Sequence, residues 1–254
     1  MGSTLLIGSC EPFSGKSALV LGIARHLRSS GTRVLFGKPL ATSLDWDSGR
    51  GDPPSPLIDD DVRFVGETLG LPQKDLIPSL HLLSPQTAQT RLGSGTLAAG
   101  EGLEQLRTNL QQSEAGVTLL EAAGNLNEGL LYGLSLVQLA RDLDAPVVLV
   151  HLWEDSRSVD ALLAASQQLG DRLRGVVLNA VIPDDVENLE REVVPALQAL
   201  GIEVFGVMPR SPLLRSVTVG ELVRRLDARV ICCREKLDLL VETLSIGAMN
   251  VNSA

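Results

Sequence analysis

The chain has 254 residues, of which 44% are apolar and 21% charged, and its net charge is −9. That length holds one large α/β domain, alone or with a small appendage. The negative balance, without any cluster of Lys and Arg, excludes a nucleic-acid grip through phosphate contacts, and no stretch approaches the roughly eighteen apolar residues of a membrane span.

Aromatic residues make up 3% of the chain, so the core must be built from Leu, Val, Ile and Ala. That palette suits a parallel sheet covered by helices, whose buried strands read as aliphatic runs. Thr4 to Ser9 is such a strand, followed by a Gly/Pro/Ser loop and an amphipathic helix over about Ser17 to Arg28. The turn Ser30-Gly31 announces a strand over Arg33 to Gly37. Residues 44–56, rich in Asp, Ser, Gly and Pro, read as an exposed loop. Asp59 starts a helix with three acids placed for its N-terminal dipole.

Further along, Leu103 to Gln112 is a helix, Val117 to Glu121 a strand, Leu134 to Leu143 a helix and Pro146 to Val150 a strand. Ser158 to Leu169 is a helix, Val176 to Asn179 a strand, Val186 to Leu200 a helix and Val204 to Val207 a strand. Strands alternating with helices indicate βαβ units. The expected fold is α/β, a mostly parallel sheet with helices on both faces, plus a small C-terminal α/β appendage. After Pro209 the character changes, with a helix over Thr218 to Leu226, a strand over Arg229 to Cys232 and a helix over Glu235 to Leu244. The division is residues 1–212 for the main domain and 213–254 for a partial small domain or an appendage.

Between the first strand and helix lies Gly8-Ser9-Cys10-Glu11-Pro12-Phe13-Ser14-Gly15-Lys16-Ser17. A phosphate-binding loop needs backbone N–H groups converging on the β- and γ-phosphates, with glycine where a side chain would collide. It also needs a lysine reaching those oxygens and a hydroxyl one residue later for Mg2+. Gly15, Lys16 and Ser17 fill these roles, and the helix behind them adds its positive end. Glu11, Pro12, Phe13, Ser14, Gly15, Lys16, Ser17 and Ala18 are therefore the expected cradle of a purine nucleotide, with ATP the expected ligand. Cys10 stands where the usual pattern has its first glycine.

Acids for the metal are sought at strand ends, because ligands of open parallel sheets bind at the carboxyl edge. Glu121 ends its strand there; its alternative role is a turn or capping acid. Asp59, Asp60 and Asp61 offer a second carboxylate or a solvated helix start. Lys38-Pro39 follows the second strand, where a lysine neutralises phosphate or holds a carboxylate substrate. Asn179 ends another strand, in reach of a base edge. Cys232-Cys233 reads as core, and Cys10 as a small loop residue. The three cysteines form neither a disulfide framework nor a metal-ligand spacing. His26, His81 and His151 read as surface or packing residues. Trp46 and Trp153 have no stacking pattern, and Trp153, following a strand, falls near the nucleotide edge. Free thiols and an N-terminus entering a strand directly, without a signal-peptide pattern, fit a cytoplasmic protein.

Gly15-Lys16-Ser17, Lys38-Pro39-Leu40-Ala41-Thr42-Ser43, Glu121-Ala122-Ala123-Gly124, Asn179 and Gly206-Val207-Met208-Pro209 occur in an order that resembles dethiobiotin synthetase. The segment Ser9 to Ser17, and Asp59-Asp60-Asp61-Val62-Arg63-Phe64 with Leu69-Gly70-Leu71, is similar to the dethiobiotin-synthetase-like N-terminal domain of long phosphate acetyltransferases. The tail from Val217 to Met249 resembles the start of the small DRTGG-type regulatory domain that follows it there, though without the DRTGG signature. The resemblance implies that Lys16 neutralises the γ-phosphate, that Ser17, Asp61 and Glu121 hold Mg2+, and that Lys38 faces the substrate or transferred phosphate. It implies adenine held by Asn179 and the Pro209-Arg210 backbone, and a homodimer. The catalytic set is then Lys16, Lys38 and Glu121.

Departures fall on the substrate side. Ser84-Pro85-Gln86 stands where that enzyme has Ser-Pro-His, Thr42-Ser43 where it has a glycine, and Gly124-Asn125 where it has Gly-Gly. A retained nucleotide site with a changed or lost second substrate is expected. Three functions fit: a regulatory ATP-binding or ATPase domain, an ATP-dependent ligase acting on a small carboxylate or carbamate, or an assembly module with a vestigial loop. Phosphate acetyltransferase activity is not expected, since nothing resembles a coenzyme A site.

Overall fold

The computed structural model describes residues 3–44, 55–112, 116–211 and 216–241. The chain divides into two compact units, Met1–Met208 and Pro209–Ala254. The first is built on a seven-stranded sheet. Its strands are β1 (Ser3–Ser9), β2 (Val34–Gly37), β4 (Leu76–Ile77), β6 (Val117–Glu121), β7 (Val147–Leu152), β8 (Leu173–Val181) and β9 (Val204–Pro209). They lie in the order β4-β2-β6-β1-β7-β8-β9. The registers of β1 with β6 and β7, of β2 with β4 and β6, and of β7 with β8 are all parallel. A separate parallel pair joins β3 (Leu40–Ala41) to β5 (His81–Leu82).

Alternation along the strands builds a core on each face, as the pleat requires. Ile7, Phe36, Leu119, Val148, Val150 and Val177 point to one side. There they meet Val20 and Ala24 of α1 (Lys16–Ser29) and Val62 and Val65 of α2 (Asp60–Leu69). Leu6, Leu120, Leu149, Val176 and Leu178 point to the other side. That side is covered by α4 (Glu101–Gln112), α5 (Leu136–Asp142) and α6 (Val159–Leu169) through Leu103, Leu106, Leu139, Leu162 and Ala165. Each fully buried aliphatic side chain contributes about 2 kcal/mol of transfer free energy. The α/β fold with helices on both faces follows from this two-sided burial.

Several elements depart from the sequence reading. The helix expected over Val186 to Leu200 is interrupted, with α7 (Val186–Asn188), a π turn over Leu189–Val193 and α8 (Val194–Ala199). Pro195 lacks the N–H that would bond back one turn, and the wider π turn absorbs the gap. Helix α3 (Pro85–Ser94) was not anticipated: it buries no side chain, so no apolar stripe marks it. Ser84 and Thr87 form its capping box.

In the second unit, α9 (Val219–Arg225) starts from Thr218, whose hydroxyl accepts the Glu221 N–H. The strand expected at Arg229 to Cys232 is absent. Instead β10 (Val217–Thr218) pairs antiparallel with β11 (Leu240–Val241). The helix expected at Glu235 to Leu244 is reduced to a single turn at Arg234–Lys236, and residues 242–254, including Ile246 to Met249, lie outside the described residues. Short helices need an apolar face to bury, and here Leu226, Ile231 and Leu239 are exposed. Cys232 and Cys233 are exposed too, not core.

Candidate nucleotide site

The loop between β1 and α1 closes at Gly15, whose φ of 98° lies in the left-handed region and whose absent side chain leaves room for the Asn179 amide. Both facts require glycine. Asn179, near the end of β8, donates from Nδ2 to the Ser14 carbonyl at 2.7 Å. Ser14 is buried, and its Oγ has no partner.

Lys16 is 7% exposed and donates to Ser9 Oγ at 3.0 Å and to the Gly124 carbonyl at 3.1 Å. Both acceptors are neutral, so among the described residues its positive charge has no directly bonded counter-charge. Burial pulls its pKa down, opposed by Glu121. The position of the loop after β6 sets this contact. There Glu128 accepts the Gly124 N–H, and Asn125 Oδ1 accepts the N–H groups of Asn127 and Glu128 at 2.9 and 3.0 Å.

Ser17 Oγ lies 3.3 Å from Glu121 Oε1, and Glu121 Oε2 is buried without a partner. Burial raises the Glu121 carboxyl to about 7 against the pull of Lys38. An alcohol and a carboxylate oxygen side by side, one carboxylate lone-pair set unused, are the donor set a hard divalent cation takes. The residues therefore fit Mg2+.

Lys38, 3% exposed, follows β2. It bonds Thr42 Oγ1 at 2.6 Å and Asp61 Oδ2 at 2.7 Å, and lies 3.3 Å from the Asp59 carboxylate. Burial pulls its pKa down, but Asp59, Glu121 and Asp61 outweigh that and hold it above its usual value. Asp59 is fully buried. It caps α2 by accepting Asp61 N–H at 2.8 Å, and takes the N–H groups of Thr42 and Ser43 at 2.7 and 3.1 Å.

The structure thus brings Lys16, Ser17, Lys38, Asp61, Glu121 and Asn179 to one edge of the sheet. Pro12 and Phe13 are exposed at the loop tip, Phe13 with a positive φ of 58°. Ala18 is half-buried behind Ser17. Glu11 turns its carboxylate inward: Oε1 accepts Leu152 N–H at 2.6 Å, and Oε2 lies 3.0 Å from His151 Nδ1. His151 is accordingly a buried residue hydrogen-bonded to Glu11, whereas His26 is exposed and His81 half-buried. Burial, then the Glu11 carboxylate, push the Cys10 thiol up to about 12. Trp153 is buried and its backbone N–H donates to the Asn179 carbonyl at 2.9 Å. Trp46 lies outside the described residues. Pro209 ends β9 and Arg210 follows it, both in the second unit.

Sequence reasoning missed Ser9, Asp59 as the buried partner of Lys38, Glu128 and His151. Asp59 carried a signal, since the first acid of a helix start is its N-cap. His151 acts through a contact 140 residues away and carried none, while Glu128 acts locally on Gly124, four residues before it, in a loop with no periodic pattern to mark it.

An AAA domain family matches residues 3–218. The chain belongs to that family. A phosphate acetyltransferase of Deinococcus radiodurans is 28% identical over 98% of this chain and 35% of its own length. The ATP-dependent dethiobiotin synthetase BioD of Rhodococcus jostii is 30% identical over 86% of this chain and 91% of its own. Among solved structures, the MinC:MinD cell division protein complex of Aquifex aeolicus is 14% identical, with TM-score 0.49, over 83% of this chain and 82% of that one. The chain spans about a third of the length of the phosphate acetyltransferases it matches. As a family member it is a P-loop nucleotide-binding domain related to their N-terminal part and to dethiobiotin synthetase. Among the described residues no helix is long and apolar enough to cross a membrane.

Proposed function

We propose that residues 11–18 hold Mg-ATP and that the chain is a regulatory ATP-binding or ATPase domain. The observation that carries the reading is Lys16, buried on two neutral acceptors beside a Ser17–Glu121 pair with an unpartnered carboxylate oxygen. A buried cation without a bonded counter-charge is costly, and a phosphate supplies that charge. Ser17 and Glu121, with Asp61, would hold Mg2+, which supplies charge neutralisation on phosphate oxygens. Lys16 exchanges the Ser9 and Gly124 oxygens for phosphate oxygens. Asn179 lies at the loop for the base side, and Lys38 for a second substrate or the transferred phosphate.

The regulatory reading is favoured over catalysis on a second substrate by the segment Ser84-Pro85-Gln86. Ser84 Oγ is spent in the capping box of α3, and Gln86 is exposed. Residues 213–254 are then the opening of a small regulatory domain. A cytoplasmic location, for which the free thiols of Cys10, Cys232 and Cys233 speak, and a homodimer, which rests on the resemblance to dethiobiotin synthetase alone, are part of the same proposal.

The second reading, an ATP-dependent ligase of the dethiobiotin synthetase type acting on a small carboxylate or carbamate, rests on Lys38. That ammonium is held at the sheet edge by Asp59, Asp61 and Thr42. Release of ADP is the test. Slow release, unchanged by diaminopelargonate with bicarbonate or by other small carboxylates, supports the regulatory domain. Acceptor-dependent acceleration supports the ligase and overturns it.

A further inference from the structure

The first half of the phosphate loop and the end of β7 bring together three side chains, of which only Glu11 belongs to the stretch proposed to hold the nucleotide. Cys10 Sγ, a Glu11 carboxylate oxygen and a His151 ring nitrogen lie within 4.8 Å of one another. Cys10 and Glu11 are partly open and His151 is buried. Cys10 Sγ lies 3.6 Å from the Ala161 carbonyl of α6. Of the His151 ring, Nδ1 is turned to Glu11 Oε2 at 3.0 Å, and Nε2 is buried with no partner. Nδ1 is thus the nitrogen on the side of the cluster, and it stands with Glu11 Oε2 and Cys10 Sγ as three donor atoms of the kinds that take a borderline-soft cation.

We infer that Cys10, Glu11 and His151 form a binding site for a borderline-soft divalent cation of the Zn2+ class, separate from the Mg2+ pair at Ser17 and Glu121. Sulfur, imidazole and carboxylate together select Zn2+, Co2+ or Fe2+ over Mg2+, which takes oxygen donors. Three protein donors leave the fourth tetrahedral position to water, and the partly exposed Glu11 marks the side from which the ion enters. Binding forms a metal–sulfur bond and releases the thiol proton to solvent, with no change of oxidation state. The ion ties residues 10 and 11 of the loop to β7, where Glu11 is already anchored through the Leu152 N–H at 2.6 Å. Sequence spacing hides the site, because His151 lies 140 residues from Glu11. The inference is independent of whether the loop takes a nucleotide.

Titration of the nucleotide-free protein with Co2+, followed by absorption, tests it. Wild type is expected to bind one Co2+ with a sulfur-to-cobalt charge-transfer band, to lose the band on adding Zn2+, and to keep it in excess Mg2+. Cys10→Ser leaves the Glu11–His151 pair intact and is expected to abolish the band and weaken Co2+ by at least about 100-fold, since even an outer partner of a ligand is worth 10–100-fold. His151→Gln is expected to weaken it similarly, while Cys232→Ser with Cys233→Ser leaves band and affinity unchanged. Absence of the band in folded wild type overturns the site. So does its survival in Cys10→Ser, or its loss in the Cys232/Cys233 double variant.

Discussion

Asn179 and Ser14 are joined by an amide-to-carbonyl hydrogen bond of 2.7 Å that fastens the end of β8 to the phosphate loop beside Gly15. The same amide occupies the space a side chain at position 15 would need. Loop shape and the identity of residue 15 are therefore set jointly by a residue 165 positions from Ser14.

Gly15→Ala is expected to weaken nucleotide binding strongly, because alanine meets both the positive φ of 98° and the Asn179 amide. Asn179→Ala alone removes one hydrogen bond, worth about 1 kcal/mol. In the double variant the collision is gone, leaving the backbone strain and the lost Asn179 hydrogen bond, so the two effects are expected to be less than additive. Calorimetric titration of the four proteins checks this, and strict additivity would refute the collision.

Glu121 gives the expected pH dependence. Its folded value of about 7 lies above the ordinary 4.5. The folded state thus binds the extra proton, and its stabilising contribution is complete below pH 4.5. That contribution declines with rising pH and is lost through pH 7, amounting to on the order of 3 kcal/mol. Glu121→Gln removes this decline and is expected to be more stable than wild type above pH 7 in the absence of Mg2+. Urea denaturation across this range, with and without the substitution, reads it directly. Parallel stability profiles for the two proteins would contradict the assignment.

Asp59 is expected to matter more for folding than the neighbouring acids. Asp59→Ala strands the buried Lys38 with Asp61 alone and leaves the Thr42, Ser43 and Asp61 N–H groups unmet. Breaking a buried ion pair in this way costs about 3–5 kcal/mol. Asp60→Ala, at a partly exposed position, is expected to cost less than about 1 kcal/mol. Lys38→Met together with Asp59→Asn removes both charges and is expected to recover part of the loss. Denaturant midpoints of the three proteins test the order.

Much of this arrangement was legible in the sequence. The aliphatic runs over residues 4–9, 117–121 and 146–150 name the central strands, because a strand buried on both faces can carry nothing else. Lys16, Ser17 and Glu121 were readable from position, as strand ends put side chains at one edge. What was not legible depends on packing between distant segments. Glu11 belongs to the phosphate loop, yet His151 and Leu152 turn its carboxylate away from the loop mouth. Helix α3 hides because none of its side chains is fully buried and its inner face carries Thr87, Ala88 and Arg91 rather than an apolar stripe, and the expected helix at Glu235 fails because Leu239 is left exposed. Periodicity reports which side chains are apolar, not whether a partner surface exists for them.

Calorimetric titration of wild type and Lys16→Ala with Mg-ATP and Mg-GTP tests the nucleotide site most directly. Wild type is expected to bind Mg-ATP with a dissociation constant on the order of micromolar, and Lys16→Ala, still folded, to bind roughly 100-fold more weakly through loss of its charged hydrogen bonds. Failure of folded wild type to bind either nucleotide, or equal binding by Lys16→Ala, would contradict it.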